Sequence, residues 1–429
     1  MEIYVVQPED TLVDIARKYG VTVEKLAADN GLPYPYNLIT GQALVITYPK
    51  TTHVISEGET IESIADRYQV SVMQILRNNP YLSDREFIYP GESLVISYNT
   101  KKTITTNGFA YPFIKMETLI KTLPNLTYLS IFNYTVHESG NISTFHDDTD
   151  ILNAARQYGT IPLLFLTTLT YQGEPNIELT YRVLLDEEYQ SGMMDQFISI
   201  MKQKGYYGVN LILNNLTKEN QLLYQNLLRK AQEKLQAANL LFFVTVNYSL
   251  VEEDGTSVIE DIDYLTLSQN TQNLTFINLT WGSIDSPPEP VSDINYIRML
   301  VDFVVNTVPP EKIVIGAPVI GYDWELPYVK GRSSITSLTI NSTYSLAYQV
   351  GAIIEFDEAS QTPYYYYNRF GFELPSQHIV WFVDARSIDG LCKIIIDKNL
   401  NGSGVWNIMI YYTQLWTIIN AEFDVIKLI

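Results

Sequence analysis

The sequence predicts an α/β protein: a TIM (β/α)8 barrel with an inserted α+β subdomain, preceded by two small βααβ domains. Three observations carry this. The first hundred residues hold a repeat offset by 49 to 50 positions. From residue 103 onward, apolar β-runs alternate with helix-length amphipathic segments, the pattern of βα units around a parallel sheet. Between residues 325 and 385 that alternation is interrupted, as an insertion would interrupt it.

Each repeat copy has a physical layout. The first reads Tyr4-Val5-Val6, Asp10-Thr11-Leu12, Ile15-Ala16, Tyr19, Asn30, Gly41-Gln42, Leu44 and Ile46. The second reads His53-Val54-Ile55, Glu59-Thr60-Ile61, Ile64-Ala65, Tyr68, Asn79, Gly91-Glu92, Leu94 and Ile96. A short β-run comes first. Thr11 or Thr60 then stands where an N-cap belongs, ahead of apolar positions at helical spacing. A second short helix ends near the Asn, and a Gly turn feeds the closing strand. The domains are expected at 1–49, 50–99 and 103–429.

Length and charge bound the function. At 429 residues the chain exceeds one ordinary core. With 46% hydrophobic residues it is globular, not disordered. A formal net charge of −20 argues against nucleic acid and anionic membrane surfaces, which need Lys and Arg patches. The lone Cys392 excludes an intrachain disulfide. No basic-then-apolar leader and no membrane-length apolar run is visible, so neither a secretory signal peptide nor membrane insertion is expected. The 32 tyrosines suit sugar stacking, and equally core packing. Sequons such as those at Asn125 and Asn278 are expected by chance in an Asn-rich chain.

The repeat resembles the LysM family in both copies. The resemblance implies binding of N-acetylglucosamine-containing glycans, in a groove between the first strand–helix loop and the second helix–strand loop. That places Glu9, Asp10, Thr11 and Leu12 with residues 32–38 in one groove, and Gly58, Glu59, Thr60 and Ile61 with residues 81–88 in the other. Copy one departs from the usual Gly-Asp/Glu-Thr turn with Pro8-Glu9-Asp10-Thr11. The alternative is a pair of folding modules with no ligand.

Barrel strands are expected at Thr105–Tyr111, Leu126–Phe132, Ile161–Thr167, Gly208–Leu213, Leu240–Val246, Phe276–Thr280, Lys312–Ile315 and Gly404–Ile408. Val350–Phe356 and Pro363–Tyr367 are expected as an inserted hairpin. Several runs resemble glycoside hydrolase family 18, in its spore-cortex and peptidoglycan N-acetylglucosaminidase branch. They are Pro309–Gly316 followed by Gly321-Tyr322-Asp323-Trp324, Trp281-Gly282 before Pro287-Pro288, Trp381–Ser387, and Gly402-Ser403-Gly404-Val405-Trp406. In the family that Trp floors the sugar site.

The resemblance also locates the expected chemistry. The family's fourth strand carries Asp-Gly-x-x-x-Asp-x-Glu. The Glu is the general acid, and the Asp two residues earlier orients the substrate acetamide, whose oxygen is the nucleophile. Residues two apart on a strand share a face. Here the run is Tyr207-Gly208-Val209-Asn210-Leu211-Ile212-Leu213-Asn214, so all three carboxylates are replaced, by Tyr207, Ile212 and Asn214. On the sixth strand the family's Tyr and acid are Leu279 and Thr280. An amide has no proton to give, and general acid catalysis alone is worth about 3–5 kcal/mol of barrier. No catalytic residue is therefore assigned.

Asn214, Tyr207 and Trp406 could still hold sugar, or Ile212 and Leu279 could fill the barrel. A relocated acid would have to come from Glu138, Glu174, Glu252, Glu253 or Asp285 in loops at strand ends. The histidines, His53, His137, His146 and His378, show no metal-ligand spacing, so no metal and no cofactor is implied. Asp384 and Arg386 read as a structural ion pair. The expected function is peptidoglycan or N-acetylglucosamine-glycan binding in the cell wall or spore envelope, by a pseudoenzyme whose barrel has lost its catalysts. The alternatives are an active N-acetylglucosaminidase with a relocated acid, and a wall-anchored scaffold with a protein partner.

Overall fold

A computed structural model describes the chain except residues 86, 138, 168–175, 215, 249, 254–255, 278–286 and 370–375. The first module consists of β1 (Glu2–Val5), α1 (Leu12–Tyr19), α2 (Val23–Asn30) and β2 (Ala43–Ile46), with β1 and β2 antiparallel. The second repeats this with β3 (Thr51–Val54), α3 (Ile61–Tyr68), α4 (Val72–Asn78) and β4 (Ser93–Ser97). All four helices are capped by a hydroxyl: Thr11, Thr22, Thr60 and Ser71 each accept from a backbone N–H three residues on. Such a cap is worth about 1 kcal/mol.

The repeated Asn is a staple. Asn30 Nδ2 donates to Leu26 O and Val45 O, while its Oδ1 accepts from Val45 N at 2.7 Å. Asn79 repeats all three bonds with Ile75 and Val95. Each buried amide thus ties the second helix to the closing strand.

The barrel follows. Its strands are β5 (Lys102–Ala110), β6 (Tyr128–Ile131), β7 (Ile161–Leu166), β8 (Gly208–Leu213), β9 (Leu241–Asn247), β10 (Asn273–Ile277) and β11 (Ile313–Pro318), with the eighth at Gly402–Trp406. They are parallel, pair in chain order, and close where the eighth strand meets β5. Between β11 and the eighth strand lies a five-stranded antiparallel sheet: β12 (Gly321–Leu326), β13 (Ile335–Leu338), β14 (Glu355–Asp357), β15 (Thr362–Arg369) and β16 (Ser376–Phe382). The eighth barrel strand is therefore β17. A short β18 (Phe423–Val425) adds beside β5. Among the described residues no helix is long and apolar enough to cross a membrane.

Two expectations about the insertion change. Gly321–Trp324 is its first strand, β12. Val350 closes a helix, Ile340–Val350, capped by Thr339, so the expected strand at Val350–Phe356 shrinks to Glu355–Asp357. Of the expected sixth strand, residues 278–280 lie outside the described residues.

Side chains inside the barrel form layers. Tyr128, Ile161, Leu163 and Phe243 pack together in one cluster. A hydrogen-bonded layer crosses the middle: Thr245 donates to Asn210 Oδ1, Asn210 Nδ2 to Ser130, and Ser130 to Asn107 Oδ1, at 2.9–3.0 Å. Phe109, Phe132, Phe165 and Ile212 fill the C-terminal end, with Trp406 packed against them.

The two modules are docked on this barrel. Gln414, on the last helix (Thr413–Glu422), donates to Asn30 Oδ1 and Ala43 O, and Thr417 donates to Asp29 O. Arg386, paired with Asp384 at 2.7 Å, also donates to Gly41 O, and Ile354 N donates to Thr40 O. The second module is held by Arg77–Asp424 at 2.6 Å and by Asn420 donating to Arg77 O.

Candidate functional site

In (β/α)8 barrels, chemistry sits at the C-terminal ends of the strands. Strand β8 brings Asn210, Ile212 and Asn214 to one face by alternation. Asn214 is 2% exposed. Its Nδ2 donates to Thr167 Oγ1 at 3.0 Å, its backbone carbonyl accepts from the Tyr224 hydroxyl, and its Oδ1 is buried without a hydrogen-bond partner. Ile212 is sealed among Phe109, Phe132 and Phe165. Trp406 is half-buried, its ring 5.5 Å from Phe109 and 6.0 Å from Phe165, and its peptide bond to Asn407 is cis.

Tyr207 does not join this group. It precedes β8, where its N–H donates to Pro162 O and its carbonyl accepts from Leu241 N. Seven residues of extended chain separate it from Asn214, on the order of 20 Å, which puts it at the opposite end of the barrel. It cannot hold a sugar at the mouth. Leu279, Thr280, Trp281, Glu138, Glu174 and Asp285 lie outside the described residues.

The buried carboxylates among the described residues are otherwise engaged. Asp148 accepts from the Tyr134 and Tyr206 hydroxyls and pairs with Lys204. Burial pushes its pKa up, but those partners hold it below the usual range. Asp323 pairs with His378 and accepts from Tyr367, Asp384 pairs with Arg386, and Glu422 with Lys101.

Sequence reasoning missed an aromatic rim beside Trp406. Tyr111 stacks on Phe113 at 5.3 Å and meets Phe132 edge-on, while Phe145 packs on Phe132 and His146 on Phe113. Phe113 is half exposed. The Phe109-Ala110-Tyr111 alternation at a strand end was the available signal.

The module turns hold a second candidate set. In copy one, Asp10 Oδ2 accepts from Gln7 N and from the Tyr4 hydroxyl, both at 2.7 Å; Thr11 caps α1; Leu12 is core; and Glu9 is exposed at φ 70°. In copy two, Glu59 accepts from Ser56 N, contacts His53 at 2.7 Å and pairs with Arg67. The Ser56 N–H above all, then His53, holds the Glu59 carboxyl down at about 2. Thr60 forms a capping box with Ser63, Ile61 packs on the module core, and Gly58 sits open at φ 82°. Asp10, Thr11, Leu12, Glu59 and Thr60 thus have structural work, which leaves Glu9 and Gly58 facing solvent. The exposed aromatics are in the partner loops: Tyr34 at 85%, Phe87 at 69% and Tyr89 at 56%. The motif residues of the turn give no hint of them, because the loops vary between the copies.

Comparison with known proteins follows this division. The profile of glycosyl hydrolases family 18 matches residues 173–409, and the LysM domain profile matches 4–47 and 53–97. A putative sporulation-specific glycosylase, YdhD of Bacillus subtilis, is 26% identical over 96% of each chain. The cortical fragment-lytic enzyme of Bacillus anthracis is 25% identical over 100% of this chain and 99% of its own. The crystal structure of the Bacillus cereus spore cortex-lytic enzyme SleL superposes with a TM-score of 0.79 at 25% identity, covering 99% of this chain and 98% of that one.

Proposed function

Because the chain belongs to the glycosyl hydrolases family 18 and carries two LysM domains, we propose that it binds peptidoglycan in the cell wall or spore envelope and that its barrel does not cleave it. One observation carries the second half. At the position where the family resemblance requires a proton donor stands Asn214, a buried amide held by Thr167. Its helper position is Ile212, packed among phenylalanines. Neither can protonate a leaving oxygen or orient an acetamide. Tandem LysM domains and full-length similarity to cortex-lytic proteins support the wall-glycan half.

A second reading has a specific observation in its favour: the relatives that match over the full chain are named as a glycosylase and as lytic enzymes. Co-sedimentation of the purified protein with insoluble peptidoglycan, combined with assay of released reducing sugar, separates the two. Binding without release is expected. Release that disappears in Glu138→Gln, Glu174→Gln or Glu252→Gln would establish a relocated acid and overturn the non-cleaving reading.

A further inference from the structure

Two clefts meet at the 407–413 segment, between the first LysM domain and the barrel mouth. One, of 400 Å³, runs between the α2–β2 loop (Leu32, Pro33, Pro35, Asn37) and the helix Ile340–Val350, which contributes Asn341 and Tyr348. The other, of 260 Å³, runs from Asn341 along Met409 to Asn407 and Val319. Asn341 and Tyr412 line both. Asn407 directly follows Trp406, and Val319 N donates to Trp406 O, so the second cleft ends beside the mouth. The first begins at the loop that the LysM resemblance makes half of a sugar groove.

The chemistry of the lining is selective. The protein is 18% charged with a net charge of −20, yet among the described residues no Asp, Glu, Lys, Arg or His lines either cleft. Amides, hydroxyls, tyrosine rings and aliphatic groups do. A lining of that kind offers hydrogen bonds and flat apolar faces to a neutral, hydroxyl- and amide-bearing chain, and no counter-charge to an ionic one. The walls are also fixed in place, by Gln414 on Asn30, Ile354 on Thr40 and Arg386 on Gly41, so little ordering is needed on binding.

The geometry points to a single uncharged glycan track, in which an N-acetylated saccharide strand runs from the first LysM loop across Asn341 and Tyr412 to Trp406. This inference rests on the wall-glycan reading and deepens it. The LysM domain and the barrel grip one strand, and the track favours stretches free of anionic peptide stems.

The test is isothermal titration of the full-length protein with N-acetylglucosamine oligomers of two to six sugars, and with a peptide-bearing muropeptide of matched length. The hexamer should bind at least about tenfold tighter than the dimer, the step expected from one added good contact. Asn341→Ala and Tyr348→Ala, both on an exposed helix face, should each remove about tenfold of the hexamer affinity and leave the dimer unchanged. The muropeptide should bind more weakly than the neutral hexamer. Equal affinity for dimer and hexamer, or hexamer binding untouched by both substitutions, would overturn the track alone. Failure to bind any N-acetylated glycan, soluble or insoluble, would overturn the wall-glycan reading and the track together.

Discussion

The two LysM domains share a motif and a fold, but only the first is built into the barrel through its Gly turn. Gly41 and Gly91 occupy equivalent turns at φ 86° and 90°. A Cβ on Gly41 would lie 1.8 Å from Ile354 O, whereas one on Gly91 would meet nothing within 4 Å. Asn30 and Asn79 make the same three internal bonds, but Asn30 also accepts from Gln414 of the last barrel helix. The difference teaches that a repeat unit can carry a second, private set of contacts on unchanged motif residues. In the first copy those contacts turn a binding module into one wall of a larger surface.

The largest expected contrast lies at the glycines. Gly41→Ala combines left-handed strain with a clash against backbone, and should cost about 3–5 kcal/mol in urea unfolding. Gly91→Ala should cost about 1–2 kcal/mol, the strain alone. Equal losses would show that the first domain is not pressed against Ile354. Next are the staples. Asn30→Ala and Asn79→Ala each strand buried backbone groups and should cost about 3 kcal/mol, with Asn30→Ala about 1 kcal/mol worse because the Gln414 amide loses one of its two acceptors and keeps only Ala43 O. A double-mutant cycle of Asn30→Ala with Gln414→Ala reads that extra part directly.

Smaller still are the caps. Thr11→Ala and Thr60→Ala should each lower stability by about 1 kcal/mol in thermal unfolding. Thr11→Ala should be the worse by a few tenths of a kcal/mol, since it also removes the Thr11 hydroxyl's bond to Asp14, whereas in Thr60→Ala the backbone N–H of residue 60 still donates to Ser63. The finest contrast is in pH. The Glu59 carboxyl is held down at about 2, chiefly by the Ser56 N–H. Its stabilisation of the second domain is complete above the unfolded value of about 4.3 and is lost as pH falls toward 2. Amide resonances of Ser56 and Glu59 should report this in acid titration, and Glu59→Gln should abolish the titration.

Much of this was legible in the sequence because it obeys simple periods. Thr11 and Thr60 before helical spacing, and apolar runs such as Ile161–Leu166, fix elements locally. The insertion was harder. Tyr364, Tyr365, Tyr366 and Tyr367 give no alternation to follow, and Ile340–Val350 is rich in Ser, Thr and Tyr, which favour a helix weakly. Docking was not legible, since Gly41 and Gly91 are the same letter in the same motif. At the barrel, strand alternation correctly puts Ile212 and Asn214 on one inner face. Grouping Tyr207 with them as a sugar ligand overlooked that strand position also sets depth along the barrel axis. Likewise, matching Asp10 and Glu59 to a binding motif could not reveal that their carboxylates are spent on Gln7 and Ser56.

The most direct measurement is a time course of a defined N-acetylglucosamine hexamer incubated with highly purified protein, followed by chromatography of the products. With Asn214 at the donor position, the hexamer should persist undegraded at the rate of the enzyme-free blank while titration shows it bound. Steady, protein-proportional appearance of shorter oligomers would contradict the account.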